Sequence, residues 1–366
     1  MRLFQNSGLY PSYVPRLRAL VASGGARSFA DQRRVFLSDR FGAAHFLQPV
    51  LAEESSAFFT NADDDVLQQT WAREHGLPAD TSTEDILLAQ IEHHRTEVFY
   101  NLDPMRFGSS FVRRLPASVR CAIAWRAAPS PGADFGAYHR VICNFPSILR
   151  SYEDRGWRAS YFAPAHDPEM DLYAANADRP VDVLFVGGYT RHHRRRAEVL
   201  EAVSRLASTH RVVFHLDRSR MTRWAESLPG RCLPLARHRR PREIQEVTAE
   251  PVFGRDLYAA LGQAKIVLNG AVDMAGADRG NMRCFEAMGC GAAMVSDTGN
   301  YPPGMVDGET MLCYESADEV VASVRSLLDD MPRRSSISRR GSVLVRDVYS
   351  KSSQWMAFVS IVGSIS

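Results

Sequence analysis

A chain of 366 residues with 45% apolar and 23% charged side chains can bury the cores of two packed domains and is neither disordered nor fibrous. Its 44 basic and 42 acidic residues leave a net charge of +2, which argues against a nucleic-acid-binding surface; all the cations except Lys265 and Lys351 are arginines. No apolar run reaches the roughly 18 residues of a membrane span, so no integral membrane segment is expected, and the N-terminal MRLFQNSGLYPSYVPRL lacks a signal-peptide core, which makes the expected location cytoplasmic.

Along the first half, the helical pattern EDILLAQIEHH (84–94) alternates with the strand-like runs VFY (98–100), CAIAW (121–125) and VICNF (141–145), the βαβ signature of a parallel sheet. Asp63-Asp64-Asp65 contains a D-x-D, a pattern that can hold a divalent ion, but it stands directly ahead of VLQQTWAREHG, where helix capping is the better explanation; no metal is expected. Asp103 and Trp125-Arg126 follow strands and are candidates for a substrate-facing edge, with ordinary loop polarity as the plainer alternative. Residues 163–182, rich in Ala, Pro and Asp and without apolar periodicity, suggest a linker. The six cysteines form no C-x-x-C pair and are expected to be reduced and buried, with no zinc site.

A second βαβ series begins with VDVLFVGG (181–188) and continues through RVVFHL, RCLPLA, KIVLNG, AAMVSD and MLCY. The first strand runs into Gly187-Gly188 and then into Tyr189, Thr190, Arg191, His192, His193, Arg194, Arg195 and Arg196 at a helix start. Free backbone N–H groups and several cations there form a trap for a diphosphate, although successive helical positions point about 100° apart, so only some can face one ligand. A solvated basic helix face is the alternative. Asn269-Gly270, after the strand KIVL, is placed to touch a base or sugar.

The most informative block is 280–297, GNMRCFEAMGCGAAMVSD. Gly280 frees the backbone, Met282, Phe285 and Met288 recur on one apolar helical face, Arg283 and Glu286 share another, and Gly289 and Gly291 stop the helix before the buried run 292–295. Asn281-Met282-Arg283-Cys284-Phe285-Glu286-Ala287-Met288-Gly289-Cys290-Gly291 resembles the pattern of GT-B fold glycosyltransferases, in particular the CgeB-like (spore maturation protein type) group within the family 1/4-like enzymes.

That resemblance implies an α/β protein of two Rossmann-like domains facing a cleft: an acceptor domain over 1–165, a nucleotide-sugar donor domain over 181–345, and a C-terminal helix over 346–366 that either crosses back to the first domain or packs on its own. It implies ribose-hydroxyl binding by Glu286, and a first acid eight positions earlier, Asp278, where the wider retaining families carry Glu. It makes Arg191, Arg194 and Arg196, with His193, the donor-phosphate candidates, alongside Gly187, Gly188, Asn269, Asn281 and Arg283. It also gives His166-Asp167-Pro168 an interdomain, positional role. The implied function is a hexosyltransferase-type glycosyltransferase that moves a sugar from a nucleoside diphosphate sugar such as a UDP-sugar to a glycan or small-molecule acceptor, without cofactor or metal. Retention is expected, the departing phosphate oxygen taking the acceptor proton; inversion would need a base such as Asp103, His93, His94 or His139. A nucleotide-sugar epimerase and a catalytically silent nucleotide-sugar binder remain the alternatives.

Overall fold

In a computed structural model of the chain, residues 1–190, 193–235, 238–270 and 275–365 are described. The chain divides into two compact units, the first comprising Met1–Ala165, Met274–Asp278 and Ser350–Ser366, the second His166–Asp273 and Arg279–Tyr349.

The first unit is built on a parallel sheet of β1 (Leu3–Asn6), β2 (Ala57–Thr60), β3 (Val98–Asn101), β4 (Cys121–Trp125), β5 (Arg140–Cys143) and β6 (Ala159–Tyr161), in the order β2-β1-β3-β4-β5-β6. Because helices cover both faces of such a sheet, β3 and β4 read as unbroken buried runs rather than as alternating patterns. The order reverses between β1 and β3, and there the register sets Asn6 beside Asn101. Asn6 Nδ2 donates to Asn101 Oδ1 at 2.9 Å, Asn6 Oδ1 accepts from the Ala62 amide at 3.0 Å, and Asn101 Oδ1 accepts from the Asp103 amide at 3.0 Å. The asparagine pair thus satisfies itself inside the core and fixes the two loops that leave β2 and β3.

The second unit repeats the design with β7 (Val181–Gly188), β8 (Val212–Asp217), β9 (Thr248–Ala249), β10 (Ala264–Leu268), β11 (Ala293–Asp297) and β12 (Leu312–Tyr314), ordered β12-β11-β10-β7-β8-β9, with all pairings parallel. Here the reversal falls between β7 and β10. The described residues of the run RCLPLA, 231–235, form no strand. A short helix Leu228–Arg231 ends inside it and residues 232–235 make turns, since Pro229 and Pro234 lack the N–H that a ladder requires. The strand next to β8 is the two-residue β9.

Residues 163–182 are more ordered than a linker composition suggests. They hold a helix, Met170–Ala174, and His166 and Asp167 are buried. Arg179 closes the segment against the second unit by donating to the carbonyls of Ala264 and Cys290, both at 3.0 Å, and of Ala174 at 3.2 Å. The Arg/Ser-rich PRRSSISRRGS lies inside a helix, Met331–Asp347, whose N-cap Asp330 accepts from the Arg333 amide at 2.9 Å.

The last helix, Lys351–Gly363, belongs to the first unit. Phe358 is fully buried against the rings of Tyr100 and Phe162, and Lys351 Nζ donates to the carbonyls of Ala43 at 2.6 Å and Phe46 at 2.7 Å. Phe358→Ala is expected to destabilise this unit by about 3–5 kcal/mol, the usual cost of emptying a buried phenyl site. Denaturant titration read on the first-unit transition, with the second as internal reference, measures it.

Candidate functional site

In the second unit, the residues picked from sequence gather at the carboxyl ends of β7 and β10, where an open parallel sheet receives its ligand. Gly187 and Gly188 end β7; Asn269 and Gly270 follow β10. The helix Arg194–Ser204 then brings Arg196 back over the first glycine. Its guanidinium lies 5.0 Å from the centre of the Phe185 ring, and a Cβ added to Gly187 would stand 2.6 Å from Arg196 Nη2. Glycine at 187 therefore makes the seat of Arg196 possible. Burial lowers the pKa of this arginine, its electrostatic partners are Tyr314 and Asp297, Nε is buried without a hydrogen bond, and no carboxylate within ion-pair distance is found among the described residues.

The other cations of the run are placed differently. Arg194 is exposed, Arg195 donates to the Glu315 carbonyl at 2.8 Å, and His193 is half-buried at the helix N-cap. Arg191 lies outside the described residues.

Asn269 is largely committed to the wall of this site. Nδ2 donates to Ser296 Oγ at 3.0 Å, Oδ1 accepts from Asn281 Nδ2 at 3.2 Å, and its carbonyl accepts from the Tyr314 hydroxyl at 2.9 Å. Asn281 is the N-cap of the helix Met282–Gly289 but makes no capping bond with its side chain, and the chain reaches it through Gly280 at φ 106°. Arg279 pairs with Asp297 at 2.6 Å, fixing that loop to the end of β11.

Glu286 is only 2% exposed, which removes the solvated-helix alternative. Burial raises its pKa, and Arg283, whose Nη1 donates to Glu286 Oε2 at 2.6 Å, opposes that rise. Arg283 Nε is itself buried and unpartnered. The pair forms a strongly coupled acid and base on one helix turn.

The two remaining candidates belong to the first unit. Asp278 Oδ2 accepts from the Ser147 amide at 2.6 Å and so caps the helix Pro146–Glu153, which has no cap of its own; Ser147 Oγ donates to the Ala275 carbonyl at 2.9 Å. Asp103 stands just beyond the carboxyl end of β3 and its pKa is raised by burial. The histidines offered as alternative bases are elsewhere. His139 Nδ1 accepts from the Ala122 amide near the start of β4 at 3.0 Å, His94 packs beside the stacked Phe4 and Phe58 rings, and His93 meets Trp71 and His75 edge-on.

Asp63 had no role beyond helix capping in the sequence reading, yet the capping residue is Asp64, which accepts from the Leu67 amide at 3.1 Å and pairs with Arg18. Asp63 turns instead toward the loop after β1, accepting from the Leu9 amide at 2.7 Å, and a Cβ on Gly8 would lie 3.5 Å from both Asp63 Oδ2 and Asp103 Oδ2. Burial is the main cause that pushes the Asp63 pKa up to about 6, and the neighbouring Asp103 charge adds to it. Asp65, the other half of the D-x-D, is exposed on the first helical turn. Among the described residues no three His, Cys, Asp or Glu side chains form a metal-holding group.

Residues 194–359 match the family described as glycosyl transferase-like. No curated protein matches the chain. Solved structures do: Anabaena HepE in complex with UDP and glucose, at 11% identity, covers 100% of both chains with a TM-score of 0.60. A glycosyltransferase from Rickettsia africae, at 10% identity, covers 99% of this chain and 98% of its own with a TM-score of 0.53, and sucrose-phosphate synthase from Thermosynechococcus elongatus, at 12% identity, covers 99% and 98% with a TM-score of 0.51. The fold is GT-B. The stretch 194–359, most of which lies in the second unit, is thus similar to a glycosyl transferase-like domain.

The carboxylate pair yields a pH test. The folded-state pKa of Asp63 lies above its unfolded value, so its contribution to stability is present in full below about pH 4 and is lost as pH rises through about 6. Asp63→Asn, which can still accept from the Leu9 amide, should therefore gain on the parent between pH 4 and 7.5. After discounting for partial exposure the gain is about 1–2 kcal/mol. Thermal melts of both proteins across that range check it; parallel curves would show that Asp63 ionises without cost.

Proposed function

We propose that the chain is a metal-independent glycosyltransferase of the CgeB-like group that transfers a hexosyl unit from a UDP-sugar to a hydroxyl of a glycan or small molecule, with retention of anomeric configuration. The observation that carries this reading is the seat of Arg196 over Gly187 at the β7/β10 reversal, within the stretch that matches the glycosyl transferase-like family. A half-buried guanidinium with no carboxylate in ion-pair distance among the described residues favours an incoming anion, and a diphosphate presents oxygens that its fork can grip in pairs. That HepE is solved with UDP and UDP-glucose supports the choice of nucleotide.

Charge development gives each group its task. As the bond from the anomeric carbon to the phosphate oxygen lengthens, positive charge grows on the sugar and negative charge on the diphosphate. Arg196 and the backbone N–H groups at the start of the Arg194–Ser204 helix stabilise the leaving group in a partly desolvated place, where such help is strongest. Glu286, held by Arg283, accepts from the ribose hydroxyls. Asp278 is the acid facing the sugar, kept in place by its bond to the Ser147 amide. In the retaining course the acceptor proton passes to the departing phosphate oxygen.

A specific observation favours one second reading. Asp103, beside Asp63 at the carboxyl ends of β3 and β2, is a carboxylate with a raised pKa on the unit that would bind the acceptor, and could act as the base of an inverting transfer. Incubation with UDP-glucose and candidate acceptors, followed by NMR of the first-formed anomer, distinguishes the two. Turnover of the sugar nucleotide to its epimer without UDP release would overturn transfer altogether.

Single substitutions test the phosphate site. Arg196→Ala should lower kcat by about 100-fold with a smaller rise in KM, because the charge it stabilises grows as the bond breaks. Arg194→Ala should stay within about twofold, as expected for an exposed side chain with little differential contact. Steady-state kinetics of both decides it; equal, mild effects would return the run to a solvated helix face. In a titration with UDP, Glu286→Gln is expected to cost about 1.5–3 kcal/mol of affinity, the worth of a charged hydrogen-bond acceptor.

A further inference from the structure

The segment 218–240 carries seven arginines against one acid, Glu226, in a chain whose total excess is only +2. Even that acid is spent inside the unit, paired with the buried Arg240 at 2.7 Å. Arg220 and Arg223 are exposed, and neither has a carboxylate partner among the described residues. Interleaved with them are large apolar side chains turned to solvent: Met221, Trp224 at 48% exposure, Leu228 at 81%, and Leu233. Four of the large exposed hydrophobic residues thus fall within 13 positions.

This exposure does not come from a loose loop. Ser219 caps the helix Arg220–Glu226 through the Thr222 amide at 3.1 Å, and Ser227 caps the helix Leu228–Arg231 through the Gly230 amide at 3.3 Å. Arg239 then ties the segment together by donating to the carbonyls of Ala225 at 3.0 Å and of Gly230 and Leu233, both at 2.8 Å. The backbone is held, Ala225 is fully buried beneath it, and the apolar side chains point away from the unit's own core. Exposed Trp and Leu on a secured platform, rimmed by uncompensated arginines, combine the two properties that an anionic lipid surface selects: apolar area to bury at the headgroup boundary and positive charge for the lipid phosphates.

We infer that the face formed by Met221, Trp224, Leu228 and Leu233 with Arg220 and Arg223 docks the second unit onto an anionic phospholipid bilayer. No helix of the described residues is long and apolar enough to span a bilayer, and the attachment inferred is a peripheral one. A nucleic acid would use the arginines but has no need of Leu228.

The full chain should co-sediment with vesicles containing about one third phosphatidylglycerol and not with pure phosphatidylcholine, and raised salt should release it. Trp224→Ser combined with Leu228→Ser should weaken vesicle binding by about tenfold or more, as should Arg220→Glu combined with Arg223→Glu. A blue shift of tryptophan emission on adding anionic vesicles should be lost in Trp224→Phe. Because these side chains are exposed, the variants should keep the parent's circular dichroism and its affinity for UDP. The inference is overturned if the parent ignores anionic vesicles at low salt, if neutral vesicles bind as well, if the variants bind as the parent does, or if the parent takes labelled single-stranded RNA while leaving vesicles in solution.

Discussion

A half-buried guanidinium with no carboxylate in ion-pair distance among the described residues is costly to keep, and the second unit holds one. Arg196 rests on the face of Phe185, which offers it a ring quadrupole in place of solvent, and only the missing side chain at Gly187 leaves room for it. The residues opposite are tied off: Tyr314 is bound to the Asn269 carbonyl, Asn269 to Ser296 and Asn281, and Asp297 to Arg279. With its neighbours engaged, the arginine keeps its capacity for an arriving anion. Strand order is the deeper cause, since Arg196 is seated at the reversal between β7 and β10, the kind of position where open parallel sheets receive ligands.

The first unit uses the same topological opportunity with the opposite charge. At the β1/β3 reversal the two buried asparagines share one hydrogen bond and, through the Ala62 and Asp103 amides, hold the loops that carry Asp63 and Asp103 toward Gly8. Burial raises the pKa of both acids, so each resists ionisation more than a surface carboxylate does. Proximity couples them further, because ionising one makes ionising the other harder.

Much of this was legible in the sequence, and what was not has a physical reason. The helix over 282–289 could be read because glycines bracket it and its apolar spacing is helical, and the buried strands of both sheets could be read as continuous apolar runs. Choosing Arg196 over Arg194 could not be done on spacing alone: both lie in one helical turn, and the choice rests on which side chain folds back over Gly187. Asp278 as a cap on Ser147 is a contact across 131 positions that no local pattern announces. The asparagine pair did leave a trace that the sequence reading passed over: Phe4-Gln5-Asn6, Phe59-Thr60-Asn61 and Phe99-Tyr100-Asn101 all end or overrun a strand with the same Phe-x-Asn. That repeat marks three neighbouring strand ends, of which only β3 was read as a strand.

The sign of charge at each reversal also restricts what the two units can hold. A desolvated cation framed by neutral or paired groups rejects cationic ligands and rewards phosphate, whatever base or sugar is attached to it. The two raised-pKa carboxylates differ: Arg106 Nε lies 3.9 Å from Asp103 Oδ2 and partly offsets their charge. Such a place favours a ligand with hydroxyl groups, since a hydroxyl can donate a hydrogen bond to a carboxylate oxygen without adding charge. Asp63 Oδ1, buried and without a hydrogen bond, is the atom with most to gain from such a donor. Under the proposed function, a neutral, hydroxyl-rich acceptor would meet the first unit and a nucleoside diphosphate the second.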